Sequence, residues 1–339
     1  MIPKPAPSWQ AELSDLITDP KELLELLELD PALLPAARRA AAQFGLRTTR
    51  NFVARIKPRD PEDPLLRQVL PIVCETAPQP LDFNADPLAE AHSSPVPGLI
   101  HKYRSRVLLL GTTQCAINCR YCFRRHFPYA EHRLGRAQFE AAAAYIAAEP
   151  AVNEVIFSGG DPLVVGDATL AHQLARLAEI PHLRRVRIHT RLPIVLPSRI
   201  TAPLVQALTE TRLAAVVVIH CNHPQELDPT VTAALAQLRA EGVLLLNQTV
   251  LLRGINDRAE VLAELSEALF AGGVLPYYLH LLDRVAGAAH FAVDERRAQA
   301  LHRDLAALLP GFLTPKLVRE EPGAASKTPI GWEALDTAP

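Results

Sequence analysis

The sequence predicts an α/β fold, an open or partial (β/α)6 barrel preceded by a mostly helical, proline-rich N-terminal extension. From residue 107 onward, short apolar, β-rich runs alternate with Ala/Leu-rich helical stretches. Half of the 30 prolines lie in the first 100 residues, which indicates a different architecture there. Apolar strands separated by single helices are typical of a parallel sheet covered by helices. We therefore divide the chain into an extension (1–100), a barrel (101–330) and a tail (331–339).

The extension begins with two helical patterns, at 8–18 and 20–43. Asp19 is a suitable N-cap for the second pattern, and Pro20 fits its first helical position. Turn-rich residues 59–64 and an extended, proline-rich run at 71–98 follow. We expect the extension to cap the barrel.

The barrel pattern consists of repeated strand and helix units. The predicted strands are 107–111, 154–158, 185–189, 214–220, 243–251 and 274–281. The predicted helices are 137–148, 168–179, 201–211, 228–240 and 258–271, then 294–309 before an extended segment at 313–320. Right-handed connections curl such units into a barrel, with chemistry at the C-terminal ends of its strands.

The overall composition and charge exclude several classes of protein. The chain has 339 residues, 49% of them hydrophobic, so it can bury a large core. A net charge of −2 argues against general binding to nucleic acid or anionic lipid. The N-terminus does not resemble a signal peptide, and no run of 18 uncharged apolar residues occurs. We expect a cytoplasmic protein, since a thiolate cluster also requires a reducing compartment.

Three of the five cysteines, Cys115, Cys119 and Cys122, follow the first predicted barrel strand with the spacing C-x3-C-x2-C. A [4Fe–4S] cluster binds cysteine thiolates, and three ligands leave one iron open to a substrate-like ligand. This spacing resembles the radical SAM signature, in which S-adenosylmethionine (SAM) binds the open iron. A zinc site with His126 as fourth ligand remains an alternative, although zinc sites usually use two separated ligand pairs.

The two remaining cysteines, Cys74 and Cys221, are isolated in the sequence. A disulfide framework is typical of short secreted chains with an even number of cysteines. We therefore predict that both residues are buried small hydrophobic side chains.

Two further motifs carry candidate chemistry. Ser158, Gly159, Gly160 and Asp161 end the second predicted strand, where glycines let the backbone approach a ligand closely. A plain strand-to-loop turn is the alternative. Lys327 lies in a loop of small residues, which leaves room for a flat cofactor, and a desolvated lysine can form a Schiff base. Taken alone this signal is weak, because exposed loop lysines are common.

These motifs, with the stretches 191–201, 220–224 and 247–256, resemble the lysine 2,3-aminomutases of the radical SAM superfamily from residue 59 to residue 327. The resemblance implies isomerisation of L-lysine to (R)-β-lysine by 1,2-amino migration. It implies three cofactors: a [4Fe–4S] cluster, SAM and pyridoxal 5′-phosphate (PLP). It also implies a reducing electron donor of the flavodoxin or ferredoxin type.

The resemblance implies cofactor roles for several of these residues. The three clustered cysteines would hold the iron–sulfur cluster, and the turn from Ser158 to Asp161 would bind SAM. Lys327 would hold PLP through a Schiff base and act in catalysis. Tyr103 and Arg106 match a region that binds the PLP phosphate.

The resemblance also implies a substrate pocket. Arg124 would bind the substrate carboxylate, because a planar guanidinium suits that group; a solvated loop charge is the alternative. Asp283 and Glu320 would bind the distal ammonium of lysine. The family normally has Asp at the position of Glu320, so this chain departs from the pattern there.

The C-terminal end of the sequence resembles one branch of the family. It stops twelve residues after Lys327 with no cysteine beyond Cys221, whereas longer catabolic members continue into a zinc-binding extension. This favours the short bacterial branch, whose β-lysine a separate ligase attaches to elongation factor P.

Three alternatives to this assignment remain open. A catabolic lysine enzyme is one, and an aminomutase for another amino acid such as glutamate is a second, although Asp283 and Glu320 argue against glutamate. A non-catalytic iron–sulfur or zinc protein is the third, and it would not need Lys327.

Overall fold

A mixed sheet forms the centre of the computed structural model, which describes residues 8–127 and 134–332. Within those residues its nine strands lie side by side in chain order. They are β1 (Leu99–Tyr103), β2 (Arg106–Thr112), β3 (Glu154–Gly159), β4 (Arg185–Thr190), β5 (Ala214–Ile219), β6 (Leu244–Val250), β7 (Leu275–His280), β8 (Lys316–Arg319) and β9 (Thr328–Pro329). Strands β2 to β8 are parallel, while β1 and β9 pair antiparallel at the two edges. The sheet is open, as the partial barrel requires.

Helices connect the parallel strands and cover the sheet. In the described residues they are α1 (Trp9–Ser14), α2 (Pro20–Leu26), α3 (Leu34–Gln43), α4 (Arg50–Val53), α5 (Arg136–Ala148), α6 (Asp167–Ala178), α7 (Leu192–Val195), α8 (Ala202–Thr209), α9 (Pro229–Ala240), α10 (Ala259–Ala271) and α11 (Glu295–Leu308). The predicted barrel strands and helices agree with these bounds within a few residues, so six βα units are confirmed. The predicted extended segment 313–320 contains β8, a seventh parallel strand.

One prediction for the extension was wrong. The single helix expected over 20–43 is divided into α2 and α3 by a 3-10 turn, Pro31–Leu33. Asp30 precedes a proline, which disfavours helical backbone at that position, and its carboxylate instead accepts a hydrogen bond from the Ala32 amide at 2.8 Å. The predicted cap of α2 is confirmed, because Asp19 accepts a hydrogen bond from the Lys21 amide at 2.9 Å.

The helix predicted over 8–18 is also shorter than expected. It ends at Ser14, and Ile17 instead forms a small β-bridge with Thr48. Two backbone hydrogen bonds of 2.9 and 3.1 Å join these residues. The extension is therefore held partly by extended pairing.

The extension and the barrel share one apolar core. Phe52 and Ile17 from the extension are fully buried in the same cluster as Val155, Ile188 and Val217 from strands β3, β4 and β5. Burial of side chains of this size stabilises a fold by roughly 1.5–3 kcal/mol each. Residues 8–98 thus pack as part of the barrel and reach the C-terminal ends of its strands. No helix in the described parts of the chain is long and apolar enough to cross a membrane.

Candidate active site

The loop that carries the three cysteines follows β2 and is fixed by the N-terminal extension. The Asn118 amide donates to the Arg47 carbonyl at 2.9 Å, and the Arg120 amide donates to the Gln68 carbonyl at 2.9 Å. The Arg47 guanidinium returns a hydrogen bond to the Cys115 carbonyl at 3.1 Å. These contacts tie the loop to the extension and set its path.

A buried carboxylate anchors the same loop through charge. Glu75, from the extension, accepts hydrogen bonds from Arg120 at 2.9 Å and 2.5 Å and from Arg125 at 2.7 Å. Both guanidinium groups also lie over the Phe44 ring, at 4.8 and 4.7 Å from its centroid. Two buried cations share one carboxylate, so a net positive charge lies next to the cysteines. Such a charge favours thiolates and an anionic cluster there.

The three cysteines of this loop carry free thiols, the donor groups that an iron–sulfur cluster binds as thiolates. Burial, and then the nearby Cys122, raises the pKa of Cys115 well above its ordinary value, and burial with Cys119 raises that of Cys122 to about 11. The reduced thiols of Cys115 and Cys122 would therefore need a cationic metal core to become thiolates. In the described residues no group of three or more His, Cys, Asp or Glu side chains converges on one ion. A cluster tolerates this, because each thiolate binds a different iron.

The zinc alternative has no support among the described residues, where no three or more His, Cys, Asp or Glu side chains converge on one ion. The exposed His126 ring contacts the Ala286 carbonyl through its Nε2 at 3.0 Å.

The two isolated cysteines differ in burial. Cys221 is buried as predicted, whereas Cys74 is exposed, so the prediction for Cys74 was wrong. The short 3-10 turn at Val73–Thr76 directs Glu75 inward instead, because Glu75 pairs with the two arginines.

The turn after β3 packs directly against the segment that precedes the cysteines. A Cβ at Gly160 would lie 2.2 Å from the Gln114 carbonyl oxygen, and Gly159 has a φ of +111°. The Asp161 amide donates to the same carbonyl at 2.8 Å. The glycines are therefore required for backbone-to-backbone approach between two loops of the site.

Asp161 has internal partners for its carboxylate. It accepts hydrogen bonds from Thr190 Oγ1 at 2.6 Å, and from the Arg191 and Leu192 amides at 2.7 and 3.1 Å. It also caps the short 3-10 turn that begins at Pro162. This residue ties the ends of β3 and β4 together. Contact of the Ser158–Asp161 turn with SAM stays a prediction.

Lys327 and Glu320 meet because of the β8–β9 hairpin. Arg319 pairs with Thr328, so the residues just outside that pair, Glu320 and Lys327, face each other. The Lys327 Nζ lies 2.5 Å from Glu320 Oε1, and both side chains are about one-fifth exposed. Burial alone would raise the pKa of Glu320, but Lys327, with help from Tyr103, holds it below its ordinary value.

Tyr103 and Arg106 join this group from the opposite edge of the sheet. The Tyr103 hydroxyl donates to Glu320 Oε2 at 2.9 Å. The β1–β2 hairpin pairs Tyr103 with Arg106, whose guanidinium lies 4.1 Å from the centre of the tyrosine ring. The Lys327 Nζ also lies 5.6 Å from the centre of the Tyr278 ring. Predicted cofactor residues from distant parts of the sequence thus lie within one connected set.

Asp283 and Glu320 line a cavity of about 640 Å³ beside this set. Burial, and then the charge of Glu320, raises the pKa of Asp283 to about 7, although Lys327 acts in the opposite direction. Two neighbouring carboxyl groups that repel each other would gain from a bound cation. The structure therefore brings the two predicted ammonium ligands together.

Arg124 lies deeper, between the extension and the turn after β3. Its guanidinium donates to both oxygens of Glu90, at 2.8 and 3.0 Å, and to Ser158 Oγ at 3.0 Å. Lys102 also contacts Glu90, at 3.3 Å. Burial alone would raise the pKa of Glu90, but Arg124 and Lys102 hold it at about 2. The sequence analysis missed Glu90, which lies in a stretch with no recognisable catalytic pattern.

Three histidines at the strand ends were also missed. His189, His220 and His280 lie near the ends of β4, β5 and β7, and burial lowers the pKa of each, to about 3 for His220. His220 contacts Gln248 at 2.8 Å, while the Nε2 atoms of His189 and His280 have no hydrogen-bond partner among the described residues. The charge of Lys327 is close enough to contribute to the lowered pKa of all three histidines. Neutral imidazoles here can donate to or accept from a bound ligand.

Comparisons with known proteins agree with this geometry. Residues 109–265 match the model of the radical SAM superfamily. The chain is 52% identical over 323 residues to an L-lysine 2,3-aminomutase of Escherichia coli, covering 95% of this chain and 94% of that protein. It is 46% identical over 321 residues to the Haemophilus influenzae protein of the same name, with 95% of each chain covered.

The chain belongs to the lysine 2,3-aminomutase family.

A more distant relative, the L-lysine 2,3-aminomutase of Clostridium subterminale, is 36% identical over 323 residues, which are 95% of this chain and 77% of that protein. Membership of the family implies a [4Fe–4S] cluster, SAM and PLP as cofactors. The cysteine loop and the Lys327 set described above offer the donor groups that these cofactors require.

Proposed function

We propose that this enzyme converts L-lysine to (R)-β-lysine by 1,2-amino migration, with the substrate held in the space bordered by Lys327, Asp283 and Arg124. The observation that carries the proposal is the grouping of Lys327 with two acidic side chains at the C-terminal ends of the strands. Glu320 lies 2.5 Å from the Lys327 Nζ, and Asp283 lines the same cavity as Glu320.

The two acids would select the distal end of the substrate. Asp283 and Glu320 repel each other, which raises the pKa of Asp283, and an alkylammonium between them would relieve that repulsion. The anionic side chain of a glutamate substrate would instead add to the repulsion. The arrangement therefore favours a diamino acid over an acidic one.

Arg124 would orient the other end of the substrate. Glu90 and Ser158 fix its guanidinium, so its plane is set before a ligand arrives. Preorganisation of this kind reduces the entropy lost on binding. Fixing both ends determines which carbon atom faces the cysteine loop.

Glu320 would also orient Lys327. Its Oε1 accepts a hydrogen bond from the Lys327 Nζ, which fixes the position of the amine that would condense with an aldehyde. When bound, the cluster and SAM supply a carbon radical that removes hydrogen from C3, and PLP carries the migrating amino group. Arg124 and its partners Glu90 and Ser158 are buried, which would limit the access of water to that end of the site.

Anaerobic turnover of L-lysine with chiral analysis of the product tests the proposal. We expect (R)-β-lysine from the reconstituted wild type and none from Lys327→Ala. Lys316, an exposed lysine at the start of β8 and four residues before Glu320, provides the control, because Lys316→Ala should keep wild-type turnover. Release of β-lysine by Lys327→Ala at the wild-type rate would overturn the assignment.

We further propose that the product supplies the modification of elongation factor P, in the cytoplasm. Support comes from the higher identity to the Escherichia coli and Haemophilus influenzae relatives, which are matched over nearly their whole length, than to the Clostridium subterminale relative. Deletion of the gene should leave elongation factor P without its β-lysyl group and leave growth on lysine unchanged. Normal modification in the deletion strain would refute this role while leaving the chemistry standing.

A further inference from the structure

Arg191 contacts the sulfur of one predicted cluster ligand. It follows β4 directly, and its Nη1 lies 2.7 Å from Cys119 Sγ and 2.7 Å from the Tyr121 hydroxyl. Its side chain is 5% exposed. A buried guanidinium beside a thiol is a charged hydrogen-bond donor to sulfur that water does not screen.

A dry polar network holds Arg191 in this position. Its Nη2 donates to Gln68 Oε1 at 2.6 Å and to Glu226 Oε2 at 3.0 Å. The Glu226 side chain is fully buried and its other oxygen accepts from the Asn222 amide at 3.0 Å. The Arg191 amide itself is bonded to Asp161. The guanidinium is therefore fixed on several sides, and its donation to Cys119 does not depend on a mobile side chain.

We propose that Arg191 is a positioning residue that raises the reduction potential of the [4Fe–4S] cluster through its hydrogen bond and charge at Cys119. The inference deepens the proposed function, because it assumes that Cys119 is a cluster ligand.

The charges at the site explain why such a residue is needed. Reduction adds one electron, taken from a low-potential donor of the flavodoxin or ferredoxin type, to a cluster that already carries three thiolates. No bond is broken in that step, so its free energy is set by the surrounding charges and hydrogen bonds. Glu226 adds a buried negative charge nearby, and Arg191 lies between it and the sulfur. The guanidinium thus favours the reduced state, which cleaves SAM.

The test is the midpoint potential of the anaerobically reconstituted full chain, measured by spectroelectrochemical titration without SAM or PLP. Arg191→Met should lower the equilibrium constant for reduction tenfold or more, which is about 59 mV for a one-electron couple. It should also raise the Fe–S(Cys) stretching frequency in resonance Raman spectra, because the hydrogen bond weakens that bond. Arg199→Met is the matched control. Arg199 is fully buried and paired with Asp167 at 2.7 Å, and it donates to the Leu163 and Val165 carbonyls instead of a cysteine sulfur.

A potential in Arg191→Met equal to those of the wild type and Arg199→Met would overturn the inference. Should Arg191→Met fail to assemble a cluster, Arg191→Lys decides the question. A lysine keeps the charge, but its single nitrogen cannot take the places of both Nη1, which donates to Cys119, and Nη2, which donates to Glu226. A potential lowered by less than about 59 mV, together with a raised Fe–S(Cys) stretching frequency, supports the inference, and values identical to wild type refute it. The iron content of Cys119→Ala tests the ligand assignment separately.

Discussion

Asp283 offers a sensitive test of the proposed pocket, because its carboxyl group titrates near neutral pH. Burial and the charge of Glu320 raise its pKa from the ordinary value of 3.8 to about 7. The folded protein then binds this proton more tightly than the unfolded chain does. The tightly held proton of Asp283 therefore makes its full contribution to the free energy of unfolding below about pH 4, and this contribution is lost as the pH rises through about 7.

Asp283→Asn removes that dependence. A rise in pKa of this size corresponds to at most ~4 kcal/mol at alkaline pH. The side chain is partly open to the cavity, and solvent screening there should reduce the effect to roughly 2 kcal/mol. We expect the cofactor-free Asn variant to be more stable than the wild type by that amount at pH 8.5, and by less than half of that amount at pH 5, where the wild type has lost only part of this stability. Urea unfolding at the two pH values measures the difference.

The same substitution should reduce function while it increases stability. Loss of one of two charges facing the distal ammonium should lower kcat/KM for lysine by roughly 30-fold or more at pH 8.5. The affinity for SAM should not change, because Asp283 lies in the cavity rather than at the cysteine loop. The reasoning fails if variant and wild type show the same pH dependence of unfolding, or if both ligands lose affinity equally.

Three further perturbations test the rest of the site. Cys119→Ala should lose the cluster and SAM cleavage together yet keep the wild-type far-UV circular dichroism; an intact cluster spectrum with full activity would contradict the ligand assignment. Borohydride treatment of the PLP-loaded wild type should leave a stable adduct on Lys327, and peptide mapping of the adduct to Lys316 would place the cofactor elsewhere. Glu90→Gln should leave Arg124 mis-positioned and raise the KM for lysine at least tenfold, with Glu90→Asp recovering part of the loss; an unchanged KM in Glu90→Gln would count against the role given to Arg124.

The barrel was predictable from sequence because its strands are short, β-rich and largely apolar runs, of which β3 is buried along most of its length. Apolar runs such as Val216, Val217 and Val218 on β5 have no other stable place in a fold, and the helices between them have clear boundaries. The edges were harder to predict. Strand β9 has two residues, and β1 is a short antiparallel edge strand, so neither gives a periodic signal. Yet the hairpins at these two edges bring Glu320 to Lys327 and to Tyr103.

The N-terminal extension shows where sequence reasoning stops. Helical periodicity predicted one helix over 20–43, but the Asp30–Pro31 step divides it. No local pattern marks Glu75, Glu90 or Gln68 as site residues, because each acts through a partner at least 34 positions away in the chain. Residues of this kind are recognisable only from their burial and pairing.

The sequence alone determined the kinds of chemistry available to this protein. Cysteine spacing, the small-residue loop around Lys327 and the alternation of strands and helices are local properties. Local patterns of this kind can be recognised in the sequence without a structure. The tertiary structure decided which charges meet. Arg124 pairs with Glu90, Arg191 reaches Cys119, and Asp283 shares a cavity with Glu320. The physical reason is that electrostatic coupling depends on distance and burial, and both are set only when distant segments pack together.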